Sequence, residues 1–491
     1  MSRLLLIEAN DNRRWVGSRV GPKVHVVPVA LLGLAAYVKS ISPDTDVKVV
    51  ETSLMTPDDE TLARVVEEFD PTWVGIRSIS LFVEEVRRVV SLVQKVSRAP
   101  VLLGGPIATA LEERIFEQVP DLGHAAVQDG EPVLAALLHG TPLPEIPGVF
   151  TKSGNGVFGN PPAAPPRELD QLPLADHGLL DLDLYAKQLS YAYNHRRQGL
   201  LVTSRGCPYS CTYCFQISGA PVRLQSAQRV VADIKHMVER LDIHDFYIVD
   251  DVFNLNRKRA LAVFEELGRM QLEARLYFVN GLRVDLCDEA FVEMMVRAGT
   301  VWVTYAIESA HPRIQALIRK KLDLEHARRI IQLSQRRGIV VNVNTMFGFP
   351  TETPDEAQVT LDYLATLDHP SLLPYHFNLR GYPGCEIVEQ AENAGWNRDT
   401  FLATGFSSYG DLPAGSPTFS RHAMMDHMLQ FHEKFGLANR GHLRYCVETL
   451  RRIGYSDLEI SDMYTVLLNR RVDGVSDLLG DKNKPDQVHW A

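Results

Sequence analysis

Three of the six cysteines in this 491-residue chain lie within a stretch of eight residues. Cys207, Cys211 and Cys214 are separated by three and then by two residues, in the segment RGCPYSCTYCF. Thiolates at this spacing in one loop can ligate an iron–sulfur cluster, which most often takes four cysteines, so three would leave one iron open to an outside donor. The alternatives are a zinc site, for which no convincing fourth ligand is near, and three independent buried thiols. The placement after an apolar strand favours the open cluster.

Composition and charge exclude several function classes. Apolar residues make up 45% and charged residues 23%, which excludes disorder as the main state. No run approaches the ~20 apolar residues of a membrane span, and no cleavage site follows the short apolar run at the start, so we predict a cytoplasmic protein without membrane contact. In that compartment six cysteines are not a disulfide framework. The net charge of −10 argues against nucleic acid as a main partner.

The first 140 residues alternate strand and helix patterns, which predicts a doubly wound parallel sheet. Short apolar runs separated by amphipathic segments of helical length are typical of right-handed βαβ units. The predicted strands are Arg3–Glu8, Val47–Glu51, Trp73–Ile76, Val101–Leu103 and Ala125–Val127. Glycine-containing turns follow the fourth and fifth strands, GGP at 104–106 and DGEP at 129–132. They lie at the carboxyl ends of the strands, where α/β sheets bind ligands.

A proline-rich segment precedes a second series of strands and helices. Eight prolines lie between residues 142 and 173, so we predict an extended linker over residues 141–194. Six βα units follow over residues 195–395, which predicts a partial (βα)6 barrel whose first strand leads into the three cysteines. Residues 396–491 are predicted to be mostly helical. The fold class is therefore α/β, with a helical region at the end.

The cysteine motif after the first barrel strand resembles that of the radical S-adenosylmethionine (SAM) superfamily, which reads CxxxCxxC. The resemblance covers roughly residues 195–390 and implies that Cys207, Cys211 and Cys214 hold a [4Fe–4S] cluster. It implies that the amino and carboxylate groups of SAM chelate the open iron, and that an electron from the cluster cleaves SAM to a 5′-deoxyadenosyl radical. The implied partners are a small-molecule substrate and an electron donor such as flavodoxin or ferredoxin.

Further segments resemble positions that bind SAM in this superfamily. The pair at 250–251 ends the second barrel strand, where acidic residues lie near the methionine amino group; helix capping is the alternative for one of the two. AIES at 306–309 resembles the segment at the ribose and methionyl ends, and NTMFGFPTET at 344–353 the segment beside the adenine, with Glu352 interpreted as a structural helix-entry residue. The implied cofactor-binding residues are Tyr213, Asp250, Asp251, Glu308, Ser309 and Asn344.

Residues 1–140 resemble the cobalamin-binding domain of one large radical SAM subfamily. Cobalamin itself is left open by the sequence, because Arg77 follows the third strand at a place where relatives have a small residue. A cation of this size could fill the cleft beneath a corrin. Alternatively, it extends outward and leaves the cleft open.

Two reactions compete within this subfamily. The leading prediction is that the radical abstracts hydrogen from a small polar natural product, in the redox-neutral dehydration of an aminoglycoside or sugar diol during antibiotic biosynthesis. Asp251, or alternatively a barrel tyrosine, would then be the catalytic proton acceptor. The short chain, Arg77 and the acidic pair at 250–251 favour this reaction. The alternative is a cobalamin-dependent radical SAM methylase in natural-product biosynthesis.

Overall fold

The computed structural model begins with a seven-stranded sheet of order β2-β1-β3-β4-β5-β6-β7, in which the first five strands are parallel. These five are β1 (Arg3–Glu8), β2 (Asp46–Glu51), β3 (Trp73–Arg77), β4 (Val101–Gly104) and β5 (His124–Ala126). The structure describes residues 2–10, 24–54, 59–154, 156–219, 221–367, 376–406, 415–435, 439–468 and 471–479. The predicted doubly wound sheet is confirmed.

Helices cover both faces of this sheet because its strands are apolar on both sides. They are α1 (Val29–Ile41), α2 (Asp59–Phe69), α3 (Val83–Val96), α4 (Pro106–Leu111), α5 (Ile115–Gln118) and α6 (Gly130–Leu138). In β1, Leu4 and Leu6 belong to the core formed with α1 and α6, whereas Leu5 and Ile7 belong to the core formed with α2 and α3. The alternation of side chains along one strand thus divides two cores.

The segment predicted to be an extended linker contains a β-hairpin that completes the N-terminal sheet. Strands β6 (Val149–Ser153) and β7 (Gly156–Gly159) pair antiparallel with each other, and β6 pairs antiparallel with β5. The prolines of this region lie on either side of the hairpin, and residues 148–160 contain none. The prolines on both sides give the whole segment the composition of a linker, although residues 148–160 carry a strand–turn–strand pattern. A short helix, α7 (Leu182–Ala186), precedes the barrel.

The second sheet is an open barrel of six parallel strands in the order β15-β14-β13-β12-β11-β8. The strands of this region are β8 (Gln198–Leu201), β9 (Ser204–Arg205), β10 (Arg223–Leu224), β11 (Asp245–Ile248), β12 (Arg275–Leu282), β13 (Thr300–Glu308), β14 (Val340–Phe347) and β15 (His376–Asn378). Its helices are α8 (Ala227–Leu241), α9 (Arg257–Met270), α10 (Glu289–Arg297), α11 (Pro312–Leu317), α12 (Leu324–Arg336) and α13 (Pro354–Ala365). The predicted partial barrel is confirmed.

The C-terminal region is helical, as predicted. It comprises α14 (Glu386–Asn393), α15 (Arg398–Ala403), α16 (Arg421–Phe435), α17 (Arg440–Arg452), α18 (Asp457–Leu468) and α19 (Val475–Leu479). Buried residues of α17, α18 and α19 share one core with α1 and with barrel residues such as Tyr247 and Tyr277. Within the described ranges, the helices are all too short or too polar to cross a membrane.

Helix α16 is attached to the last barrel strand through two buried histidines. The Nε2 atoms of His376 and His427 are 2.9 Å apart, and Thr345 Oγ1 lies 2.7 Å from His376 Nδ1. Burial lowers the pKa of both rings, that of His427 to about 4. A hydrogen bond between two Nε2 atoms needs one donor and one acceptor, so the rings must not both be protonated.

We therefore expect the protein to lose stability on the acid side. Because the folded pKa of His427 lies below its ordinary value of 6.5, its stabilising contribution is full above that pH and is lost as the pH falls toward 4. For this ring alone, the loss between pH 7.5 and 5 is about 2 kcal/mol. Anaerobic denaturant unfolding at both pH values measures it. His427→Gln, which does not titrate, should lose less, and an equal loss in both proteins would contradict the assignment.

Candidate functional site

The three clustered cysteines lie in a loop that begins just after β9 and whose base is closed by the pairing of β9 with β10. We call residues 206–222 the cysteine loop. Its first residue, Gly206, has φ +93°, and a Cβ there would lie 2.7 Å from the carbonyl oxygen of Pro221. Both the dihedral angle and the close approach require glycine. The N–H of Gly206 donates to Asp251 Oδ2 at 3.1 Å, which ties the start of the loop to the end of β11.

The thiols of the cysteine loop are more accessible than those elsewhere in the chain. Cys207 and Cys211 are half-buried and Cys214 is exposed, whereas the remaining cysteines, at 287, 385 and 446, are buried. The environment raises the pKa of Cys214 to about 12, through desolvation and then through the charges of Cys211, Cys385, Cys207 and Asp251. Clustered thiolates of this kind are stabilised by a bound metal centre.

The donor set fits an iron–sulfur cluster better than it fits the two alternatives. Among the described residues, no three His, Cys, Asp or Glu side chains converge as the ligands of a single metal ion would. A [4Fe–4S] cluster has no need of such convergence, because its cysteines are distributed over different irons. The exposure of Cys214 disfavours a set of independent buried thiols.

A polar group joins the cysteine loop to the end of β13. The hydroxyl of Tyr213 donates to Glu308 Oε1 at 2.9 Å, and Lys320 Nζ lies 3.2 Å from both oxygen atoms. Glu308 is buried and has φ +68°, a conformation that is uncommon for residues other than glycine. Backbone strain of this kind clusters at functional sites. The predicted residues Tyr213 and Glu308 are thus brought together.

Lys320 completes this group and was not predicted from the sequence. It lies between α11 and α12, outside every motif that the sequence offered. It forms an ion pair with Glu308 at 3.2 Å, and both side chains are about nine-tenths buried. A buried lysine is rare unless it is paired. No local pattern marks such a residue, because its partner belongs to another element.

Asp250 and Asp251 have different surroundings. Asp250 is buried and accepts hydrogen bonds from the N–H of Thr203 at 2.5 Å and from the hydroxyls of Thr203 and Ser204 at 2.6 and 2.7 Å. A contact with the methionine amino group, as predicted, would have to compete with these three bonds. Asp251 is exposed toward the interior of a cavity, where partial desolvation raises its pKa. Its charge also contributes to the raised pKa of Cys207, after desolvation.

The remaining predicted residues lie near strand ends, with mostly structural contacts. Ser309 is fully buried and accepts the N–H of His311 at 3.2 Å. Asn344 is half-buried in β14 and accepts a hydrogen bond from Asn342 at 3.0 Å. Glu352 accepts the N–H groups of Gly348 and Phe349, which agrees with its structural interpretation. Of these residues, Asn344 keeps the most accessible side chain.

A cavity of about 340 Å³ lies between the carboxyl ends of the N-terminal sheet and the first barrel strands. Helix α1 contributes Gly33 to its wall, the sheet contributes Gly104 and Arg77, and the barrel contributes Arg205 and Asp251. At Gly33 nothing lies within 4 Å of the place that a Cβ would take, and at Gly104 the nearest atom is 3.9 Å away. Small residues on α1 and at the end of β4 therefore keep this part of the cavity wall open.

Arg77 neither fills the cavity nor extends away from it. Its guanidinium donates to Glu8 Oε1 at 2.5 Å and lies in the cavity wall. Burial raises the pKa of Glu8 to about 7, and the charge of Arg77 opposes that rise. Arg77 is therefore held by Glu8 in the cavity wall, and a cavity remains beside it.

Comparisons with known families match both halves of the chain. Residues 201–364 match the radical SAM superfamily, and residues 22–138 match the B12 binding domain. The fold is similar to that of TsrM from Kitasatospora setae, a radical SAM methyltransferase solved with cobalamin and a [4Fe–4S] cluster, with a TM-score of 0.65 and 21% identity. That similarity covers 80% of this chain and 75% of the other.

The curated relatives reported below are identical to this chain at about one aligned residue in four. The chain is 26% identical over 370 residues to the uncharacterized methyltransferase PH0819 of Pyrococcus horikoshii, covering 73% of this chain and 78% of that protein. It is 25% identical over 344 residues to the anaerobic magnesium-protoporphyrin IX monomethyl ester cyclase of Rubrivivax gelatinosus, covering 68% and 61%. It is 26% identical over 344 residues to the cytidylyl-2-hydroxyethylphosphonate methyltransferase of Streptomyces wedmorensis, covering 62% and 64%.

These comparisons correct the predicted reaction. Dehydration of an aminoglycoside or sugar diol, the leading prediction, is wrong, because two of these three relatives are named methyltransferases. A short chain does not argue against a methyltransferase, because this chain matches 78% of the length of PH0819. The catalytic role of Asp251 depended on a hydroxyl proton in that dehydration and falls with it. Its place in the cavity is unaffected.

Proposed function

Because this chain belongs to the radical SAM superfamily and carries an N-terminal B12-binding domain, we propose that it is a cobalamin-dependent methyltransferase acting on a small molecule. The observation that carries the proposal is the cavity between the N-terminal sheet and the cysteine loop. A corrin held on the sheet would face the loop across this cavity. The similarity to PH0819, over most of both chains, supports methyl transfer over other outcomes of radical chemistry.

The chain's own residues divide the work of holding the two cofactors. When bound, the cluster supplies the electron that cleaves SAM, and cobalamin supplies the chemistry of methyl transfer. Cys207, Cys211 and Cys214 hold the cluster, and the exposure of Cys214 leaves the loop accessible to an electron donor such as flavodoxin or ferredoxin. Asp251, one oxygen of which accepts the N–H of Gly206, pairs with the SAM amino group from the cavity side, a charge-assisted contact.

The site near β13 holds the other end of SAM. Tyr213 and Glu308 lie at the edge of the cysteine loop, and Lys320 fixes the Glu308 carboxylate by an ion pair. Asn344, half-buried on the neighbouring strand β14, completes this part of the binding site. Asp250 and Ser309 support it from behind, by holding the loop start and the end of β13 in place.

Formation of S-adenosylhomocysteine tests the proposal. We expect anaerobically reconstituted protein with SAM and a reductant to form this product only when hydroxocobalamin is present. Formation of 5′-deoxyadenosine should persist without hydroxocobalamin, because SAM cleavage needs the cluster alone. Chromatography separates the two products. S-adenosylhomocysteine formed at the same rate without hydroxocobalamin would contradict the proposal, as would its absence in both conditions.

A cavity variant makes the same experiment specific to the N-terminal sheet. Gly33→Leu places a side chain into the open cavity from α1, and leucine is also the better helix former. We expect it to lower the affinity for hydroxocobalamin at least tenfold while leaving the iron content unchanged. Gly123→Ala is the matched control, because its Cβ also meets open space but Gly123 does not line the cavity.

A further inference from the structure

Two arginines face each other at the base of the cysteine loop. Arg205 of β9 and Arg223 of β10 are direct partners in the antiparallel ladder that closes the loop. Like charges placed directly opposite on paired strands are destabilising. Both side chains are largely buried, so solvent screens their repulsion little. Such a ladder needs a negative charge from elsewhere.

That charge comes from the N-terminal sheet. The Asp129 carboxylate accepts one hydrogen bond from each arginine. Its Oδ1 lies 2.9 Å from Arg205 Nη1, and its Oδ2 lies 2.6 Å from Arg223 Nη1. Glu131 accepts Arg205 Nη2 at 2.7 Å and is itself buried. The two carboxylates outweigh the desolvation of Arg205, so that its pKa is raised overall. We call residues 129–131, which follow β5, the acidic turn.

In the acidic turn, Asp129 binds arginines of the barrel region instead of capping the helix that it precedes. Asp129 is the N-cap residue of α6, a position where an aspartate ordinarily accepts an N–H of the first helical turn. Its side chain makes no such bond here and bridges the two arginines instead. Asp129, Glu131 and Arg205 also line the cavity. The contact between the two halves of the molecule therefore lies where both proposed cofactors would meet.

We infer that the acidic turn positions the cysteine loop relative to the corrin-binding face, so that binding at one face strengthens binding at the other. The inference rests on the proposed function, since it needs a corrin on the sheet. Asp129 and Glu131 are positioning residues, because they touch the arginines at the base of the loop. Arg205 lies two residues before Cys207, and Gly206 between them is tied to Asp251. A displacement of the base is thus passed directly to the cluster ligands.

The test compares hydroxocobalamin affinity with and without the cluster. Optical titration is carried out on cluster-loaded protein and on protein from which iron has been removed by chelation. For the wild type, we expect the cluster-loaded form to bind hydroxocobalamin at least fivefold more tightly, the lower end of typical coupling between sites. In the double variant Asp129→Asn/Glu131→Gln, which keeps the shape and removes both charges, this ratio should fall below two.

Two further variants separate positioning from folding. Asp457→Asn removes an exposed ion pair with Arg451 of similar geometry, far from the cavity, and should keep the wild-type ratio. Arg205→Lys keeps the charge but loses the two-pronged contact with the acidic turn, so its ratio should lie between those of the wild type and the double variant. It also decides the question if the double variant does not fold.

Each outcome separates this inference from the proposed function. A wild-type ratio retained in the double variant, or in Arg205→Lys if the double variant does not fold, overturns the inference and leaves the proposed function standing. If the wild type binds no hydroxocobalamin in either form, the proposed function fails. The coupling to a corrin fails with it, and SAM affinity then tests the positioning of the loop alone: a loss of at least tenfold in the double variant, at full iron content, supports that positioning. Unchanged SAM affinity would overturn it.

Discussion

Replacing Cys207, Cys211 and Cys214 together by alanine should remove the bound iron and abolish SAM cleavage. These are the thiols of the cysteine loop, where desolvation and then neighbouring charges, that of Cys211 among them, raise the pKa of Cys207 and Cys214, so a metal centre is what stabilises them as thiolates. Iron analysis of anaerobically reconstituted protein and chromatography of 5′-deoxyadenosine measure the two losses. Both should fall below detection, the largest effect we expect of any substitution.

Cys385 provides the sharpest control for that experiment. After desolvation and Cys211, its charge contributes to the raised pKa of Cys214, so it is the cysteine outside the cysteine loop to compare with the three. It is buried in an apolar cluster, and burial raises the pKa of its own thiol to about 12, which suits packing better than ligation. Cys385→Ala should keep full iron content, as should the remote Cys446→Ala. Iron retained by the triple variant, or lost from Cys385→Ala, would contradict the assignment.

The sequence predicts those parts of the fold that depend on local hydrophobic patterns. The parallel strands were found because each is a short apolar run between amphipathic segments, and the barrel was found in the same way. The hairpin of β6 and β7 was missed, since the flanking prolines dominated the composition of its segment. The loop cysteines were found because their spacing alone carries the chemistry.

Contacts between distant elements explain what the sequence does not reveal. Asp250 and Asp251 are adjacent in the chain, yet only the structure distinguishes the buried carboxylate held by Thr203 from the one that faces the cavity. Lys320 is recognisable only through its ion pair with Glu308. The predicted reaction is wrong because chain length, Arg77 and the acidic pair at 250–251 do not distinguish dehydration from methyl transfer.

Glu308→Gln should weaken SAM binding by about ten- to a hundredfold while the iron content stays unchanged. Glutamine keeps the shape of the side chain and can still accept the Tyr213 hydroxyl, so the substitution removes little besides the charge. It leaves Lys320 buried without its partner, which destabilises a protein by about 3–5 kcal/mol. Denaturant unfolding measures that loss, and equilibrium binding of SAM to the cluster-loaded protein measures the affinity.

A second variant separates a contact with SAM from a structural ion pair. In Glu308→Gln/Lys320→Met, no unpaired charge is left in the interior. Most of the stability lost in Glu308→Gln should therefore return. SAM affinity should stay as low as in Glu308→Gln, because the carboxylate that would contact the cofactor is still missing. If affinity returns together with stability, Glu308 only supports the end of β13 and does not bind SAM.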